Sequence, residues 1–413
     1  MEFLKKYKNL ILAILFILVV IIIGFLLYTL FFKPTGQPIS TEPDPTATGT
    51  PAGFPTAGEG GVQIVSTSTT KDRLSGGVEP LEPISDVANG GLTKTKRITK
   101  NSVIEPTLSG TGNALQYYDK SDGKFYRINN EGELELMSNK TFYNVQDVTW
   151  SPVKNKAILE YPDGSNIVYD FDTKQQITLP KHWEDFDFSP EGNQIVMKSM
   201  GLDPNNRWLA VSNLDGSKSR PIEPIGLMDE TIYSSWSPNK QSIAMYTEGI
   251  DFDRQEVYFV GLNDENFKST VIEGRGFQSQ WAPSGKQLLY SVYSSKNDLK
   301  PMLWLVNAQG EEIGTGRHSL GVETWAEKCT YANESEVYCA VPKDLPEGAG
   351  LFPEMAENTS DTLYMIDTQT GFRKIIATPD GEFNMSNLII SDNGYNLYFT
   401  DNNDKRIYQI KLK

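Results

Sequence analysis

The 413-residue chain holds two cysteines and two histidines, so thiol and imidazole chemistry start from a short inventory. Cys329 lies two residues before Tyr331 and Cys339 eight after it, flanking one tight turn symmetrically. On an antiparallel hairpin they would face each other at a separation that a disulfide spans, and an extracytoplasmic address would supply oxidising conditions. The competing reading is two packed thiols. Without nearby His or further Cys the pair falls short of a zinc ligand set, and neither a metal nor a cofactor is expected. His182 and His318 fall in expected loops leading into strands, neither beside a nucleophile. There is no Gly-x-Ser-x-Gly elbow, no loop of alternating acids and no glycine-rich phosphate loop before a helix, so no catalytic residue is assigned.

The remaining residues able to do chemistry are acids, aromatics and an arginine in long polar connections. Asp203, Asp251, Phe252, Asp253, Asp298, Leu351 and Phe352 belong to four of them, and Trp183 and Arg275 to two shorter ones. Acids beside exposed apolar groups suit a peptide or glycan contact. The competing reading is that long surface loops are ordinarily polar and that Leu351 or Phe352 merely tucks its insertion onto the scaffold.

A repeat positions these residues. An anchor followed by Ser or Ala opens a tight turn at Leu108-Ser109, Trp150-Ser151, Phe188-Ser189, Trp236-Ser237, Trp281-Ala282, Tyr331-Ala332 and Ile390-Ser391. Seven residues past each anchor stand Leu115, Ala157, Ile195, Ile243, Leu288, Tyr338 and Leu397, and nine past stand Tyr117, Leu159, Met197, Met245, Tyr290, Ala340 and Phe399. All are apolar or aromatic. A third run repeats aromatic-x-aliphatic, as in Tyr126 to Ile128 and Trp304 to Val306. Alternation at i and i+2 with a period near 45 residues predicts stacked four-stranded blades. The expected fold is all-β: a seven-bladed β-propeller over 93–413 with N-to-C strand closure. The last period ends one strand short, so Thr95 to Lys100 is expected to pair with Arg406 to Leu412, removing an exposed sheet edge.

The Ser-Pro turn and following strand, at Trp150-Ser151-Pro152, Phe188-Ser189-Pro190 and Trp236-Ser237-Pro238, resemble the WD40-like (PD40-type) repeats of the TolB propeller and of the propellers capping prolyl oligopeptidase and dipeptidyl peptidase IV. The Asp-Gly that usually follows Ser-Pro there is absent; Gly192, Gly285 and Gly394 keep only the glycine. The resemblance implies a propeller and no particular activity.

Leu10 to Phe32 is a run of 23 residues without a charge, long enough to cross hydrocarbon as a helix, preceded by Lys5, Lys6 and Lys8 and followed closely only by Lys33. That predicts one transmembrane helix at 10–32, a cytoplasmic stub at 1–9 and everything beyond outside the cell membrane. Residues 33–92 carry 32 Pro, Gly, Ser or Thr out of 60 and are expected to be a disordered linker. A net charge of −15 without a basic stripe argues against nucleic acid. The reading is a single-pass, extracytoplasmic propeller acting as a non-catalytic scaffold that binds an envelope protein or polymer. The alternative is a hydrolase or lyase using carboxylates of the central channel. No pattern specifies the ligand or an oligomeric state.

Overall fold

The computed structural model describes residues 83–413 apart from 113 and 130, together with 18, 19 and 22. The expected stub and nearly all of the expected membrane span and linker lie outside the described residues. Among the described residues no helix is long and apolar enough to cross a membrane.

Seven antiparallel sheets follow one another along the chain. Blade 1 runs from Val103 to Leu136, blade 2 from Asp147 to Leu179, blade 3 from Trp183 to Pro224 and blade 4 from Ile232 to Glu273. Blade 5 runs from Arg275 to Ser319, blade 6 from Cys329 to Pro379, and blade 7 joins Met385 to Lys411 with Thr95–Arg97. The fold is a seven-bladed β-propeller.

Its repeated turn has a local cause. In blades 2, 3, 4 and 7 the serine after the anchor folds its hydroxyl back to accept the backbone N–H five residues on, at 3.3, 3.1, 2.9 and 3.0 Å. Four residues past the anchor the chain must take a left-handed conformation, held by Gly112, Gly192, Gly285 and Gly394 and also by Lys154 and Lys240. Blade 6 departs from this. Its turn is one residue shorter, pairing Tyr331 with Val337, where blade 1 pairs Leu108 with Leu115. Val337 and Cys339, both 0% exposed, therefore face blade 5, while Ala340, also 0% exposed, and Tyr338 face blade 7. The same register sets Cys329 opposite Cys339, and the two form a disulfide with Cα atoms 4.0 Å apart.

The core lies between blades rather than within them. Seven apolar clusters each draw on two neighbouring blades: Tyr118 and Phe125 of blade 1 meet Leu159 and Tyr169 of blade 2, and so on around the ring. The circuit closes where Val103, Leu115 and Tyr117 of blade 1 meet Tyr398 and Ile407 of blade 7.

The expected clasp is present. Thr95, Lys96 and Arg97 pair antiparallel with Ile410, Gln409 and Tyr408. The hydroxyl of Thr99 then accepts the N–H of Ile407 at 3.0 Å. A second strap was not anticipated: Leu92–Thr93 adds in parallel to Arg373–Pro379, the outer strand of blade 6, and Ser85 bridges to Thr93. Asn89-Gly90-Gly91, which composition assigns to the linker, is a turn whose Gly90 N–H reaches Ile376 O at 2.8 Å.

Replacing both cysteines by serine should lower the stability of the propeller by about 2–3 kcal/mol, the chain-entropy value for a loop this short. Denaturation in the presence and absence of reductant checks this; an unchanged midpoint would contradict it.

Candidate functional site

In an up-and-down blade the connections after the second and fourth strands leave on one face. That face carries the long segments 201–206, 294–300 and 343–360. The connection expected over Glu248 to Arg254 is different: strands Ala244–Asp251 and Arg254–Val260 continue to a two-residue tip, so Phe252 and Asp253 crown a projecting hairpin.

Exposed apolar side chains gather on this face. In the connections Tyr143, Leu202, Leu227, Met228, Ile250, Phe252, Leu351, Phe352 and Met355 sit there, against Val153, Phe372 and Tyr395 on the opposite one, while Leu134, Leu136, Ile177, Val271 and Ile375 are exposed along the outer strands and Ile84 and Val87 beside the N-terminal strap. The blade 6 insertion shows how they are presented. Leu345, Ala349 and Ala356 pack on Trp325 and hold the insertion down. Gly350 permits the close approach, since a Cβ there would lie 2.5 Å from that of Tyr293. Leu351, Phe352 and Met355 are left outward, at 36%, 51% and 47% exposed. The tucking that the competing reading assigned to Leu351 or Phe352 is done by their neighbours.

The other expected face residues divide. Asp251, Phe252 and Asp253 come together with Arg254, Glu273, Ser294 and Lys296 around a depression of about 340 Å³. Arg275 opens the first strand of blade 5 and donates to Asp251 O at 2.9 Å. The Arg254 guanidinium holds the Asp251 carboxyl below its usual range, and Ser295 does the same for Asp253, so both stay ionised. Asp203 accepts the N–H of Asn205, capping a short 3₁₀ turn, and the carbonyl of Asp298 receives the N–H of Gly348. Trp183 is a correction. It is the first residue of blade 3's inner strand, 5% exposed, and packs with Leu179, Phe186 and Ile195 as core.

A cavity of about 590 Å³ opens between the blade 6 insertion and blade 7. Glu327, Lys328, Glu354, Glu357, Asn384, Asn402 and Lys405 are among its lining residues. Its wall is a buried polar network. Lys328 lies 2.8 Å from Asp361 and donates to Asn384 Oδ1 at 2.8 Å. Asn384 spends its amide hydrogens on the carbonyls of Ala356 and Glu357. Asp361 also accepts the N–H of Met385 at 2.6 Å, tying blade 6 to blade 7.

A second cluster, which the sequence reading placed in the channel without naming residues, surrounds the inner strands. Three residues before the seven anchors stand Glu105, Asp147, Asp185, Tyr233, Gln278, Lys328 and Asn387: one polar side chain per blade. Bulges in the inner strands of blades 1, 3 and 7 put Glu105, Asp185 and Asn387 in the left-handed region. Burial, then the Asp147 charge, pushes the Glu105 carboxyl up to about 7, against a hydrogen bond from Asn387. Glu160 stands directly opposite Asp147 in blade 2 and is likewise pushed to about 7 by burial and then by Asp147 and Asp185. Asp185 is neutralised by Lys198 at 3.0 Å. Asp187 accepts the N–H of Trp236 at 2.6 Å, a structural tie between blades 3 and 4.

No family model and no curated protein matches the chain. Among solved structures, the β-propeller domain of Cps50 (Swd1) from Myceliophteria thermophila is 10% identical over 77% of this chain and 100% of that one, with a TM-score of 0.51. An oligogalacturonate lyase from Vibrio parahaemolyticus is 12% identical over 77% and 93%, with a TM-score of 0.50. The likeness is to the propeller fold. It assigns no ligand and no chemistry.

What the inner carboxylates do follows from their environment. Glu160 is raised from 4.5 to about 7 in the folded chain. The native state therefore binds its proton more tightly than the unfolded state does, and the associated stability is present below pH 4.5 and lost as pH rises through 7. Glu160→Gln, which cannot ionise, should be more stable than the parent by about 1–2 kcal/mol at pH 8 and no more stable at pH 4. Urea denaturation at both pH values checks this; an equal difference at both would contradict it.

Proposed function

We propose that this protein is a non-catalytic binding module of the WD40-like TolB type. In this reading its N-terminal apolar segment anchors it in the cell membrane and it is displayed outside, docking an envelope protein or polymer on the face that carries the long connections. The observation that supports it is the placement of the exposed apolar side chains. Of the exposed apolar residues in the connections between strands, nine sit on that face, on inter-blade loops, a hairpin tip and an insertion whose own packing is satisfied by other residues, and three sit on the opposite face. Patches of this kind on a rigid scaffold mark contact surfaces.

The acids among them serve specificity more than affinity, because Asp251 and Asp253 are already held by Arg254 and Ser295. The channel alternative has one support, the opposed Asp147 and Glu160 carboxylates, one of them pushed up to about 7.

A photo-crosslinking amino acid at Phe252 or Phe352, in the full chain in its own membranes, should give the same discrete adduct. The substitution at Tyr395, on the opposite face, should give none. Equal adducts from both faces, or none from Phe252 and Phe352, would contradict the reading.

A further inference from the structure

The clasp that closes the ring also gathers positive charge. Residues 93–100 hold Lys94, Lys96, Arg97 and Lys100, residues 405–413 hold Lys405, Arg406, Lys411 and Lys413, and neither run contains an acid. The two runs lie at opposite ends of the propeller sequence, and the pairing of Thr95–Arg97 with Tyr408, Gln409 and Ile410 makes them neighbours. Lys374 adds a cation near the start of the outer strand of blade 6. Among the described residues only Lys94 and Arg406 of these nine have an ion-pair partner, Asp86 and Asp404. Lys96, Arg97, Lys100, Lys374, Lys411 and Lys413 are exposed and make no side-chain hydrogen bond or ion pair to any described residue. Asp380 stands against the clasp, accepting the Thr95 N–H at 2.9 Å, and offsets a single charge. A chain of net charge −15 thus carries one edge of the opposite sign.

We infer that this edge lies against the anionic phospholipid surface of the membrane that holds the chain. The inference rests on the membrane anchoring proposed above and adds an orientation to it, in which the face with the long connections stays clear of lipid and open to a partner. Two observations select a lipid surface. Exposed apolar side chains stand among the cations: Ile84 and Val87 on the strap and Ile375 beside Lys374, at 56%, 37% and 40% exposed. Cations interleaved with apolar groups suit the boundary between headgroups and acyl chains, where phosphates take the charge and the apolar groups leave water. The chain also enters the propeller here. The N–H groups of Ser85, Ala88 and Gly90 donate to the carbonyls of Leu92, Lys411 and Ile376, which fixes the entering strap on blades 6 and 7. A bilayer holding the N-terminal apolar segment is therefore joined to the propeller through this edge. Protection of an exposed strand does not account for the pattern, because charges of either sign serve that purpose. The outer strands of blades 1, 3 and 4 use Glu135, Arg220 with Glu223, and Glu273.

The test reconstitutes the full chain into liposomes of phosphatidylcholine, or of its mixture with phosphatidylglycerol, each containing lipid spin-labelled at the headgroup. A fluorophore on the new thiol of Val87→Cys should be quenched in the mixed vesicles and not in phosphatidylcholine alone. One on Phe252→Cys, at the tip of the blade 4 hairpin, should be quenched in neither. High salt should relieve the quenching, because it screens exposed charges. Lys96→Gln and Lys411→Gln should each lower the equilibrium constant for edge contact about fivefold, the effect of one cation beside an anionic surface, with melting temperatures unchanged. Equal quenching at Val87→Cys in both lipids, or quenching unaltered by the Gln substitutions, would overturn the inference. A chain that alkaline carbonate leaves in the mixed vesicles while Val87→Cys stays unquenched keeps the anchor and removes the edge contact. A chain that carbonate extracts removes both.

Discussion

The pairing of Thr95–Arg97 with Ile407–Lys411 is the constraint on which the rest of this molecule depends. No blade has a core of its own; each buries its faces against two neighbours, so the clusters persist only if the circle is complete. An unclosed ring would leave the backbone edge of Ile407–Lys411 unpaired and loosen the cluster that joins Val103, Leu115 and Tyr117 to Tyr398 and Ile407. Each ladder bond returns only about 1 kcal/mol net, yet the clasp joins segments some three hundred residues apart and makes seven weak interfaces mutually dependent. The parallel strap of Leu92–Thr93 on blade 6 extends the same solution to the next sheet edge.

Closure also fixes what the two faces can do. Because every second-to-third connection leaves on the same side, insertions in successive repeats accumulate there without touching the ring's own packing. The blade 4 hairpin, the blade 5 loop and the blade 6 insertion are linked: Ser295 donates its N–H to Asp253 at 2.7 Å, and Gly348 and Gly350 donate theirs to the carbonyls of Asp298 and Leu299 at 2.8 Å. Three consecutive blades thus present one joined rim. The recess behind it is bounded by a buried ion pair, Lys328 with Asp361, that serves the blade 6–7 junction.

The ring was legible in the sequence because its signal is apolar and periodic: the anchors, the residues seven and nine beyond them, and the missing final strand all follow from burial against neighbours. In blade 6 a turn shortened by one residue shifts the register without breaking the apolar pattern, because both faces of the strand are buried. The strap at Leu92–Thr93 is built from backbone hydrogen bonds on a Gly-rich segment, which composition cannot tell from linker. Trp183 reads as a loop residue because two acids, Glu184 and Asp185, separate it from the next apolar residue of its strand, Phe186. The polar column three residues before each anchor was there to be read. Its seven members differ in type, from Glu105 to Tyr233 to Lys328, so the column shares polarity but no chemical signature. The cavity was not legible, since its walls come from four separate stretches brought together by the blade 6–7 contact.

Whether the N-terminal strand closes the ring can be read from a crosslink across the clasp. Lys96 and Gln409 are directly opposed in the clasp. In the chain with both replaced by cysteine, a disulfide should form spontaneously under oxidising conditions, alongside the native Cys329–Cys339 bridge, and raise the melting temperature. Peptide mapping that finds the two new thiols unlinked, or a bridge that lowers the melting temperature, would show that the seventh blade is completed in some other way.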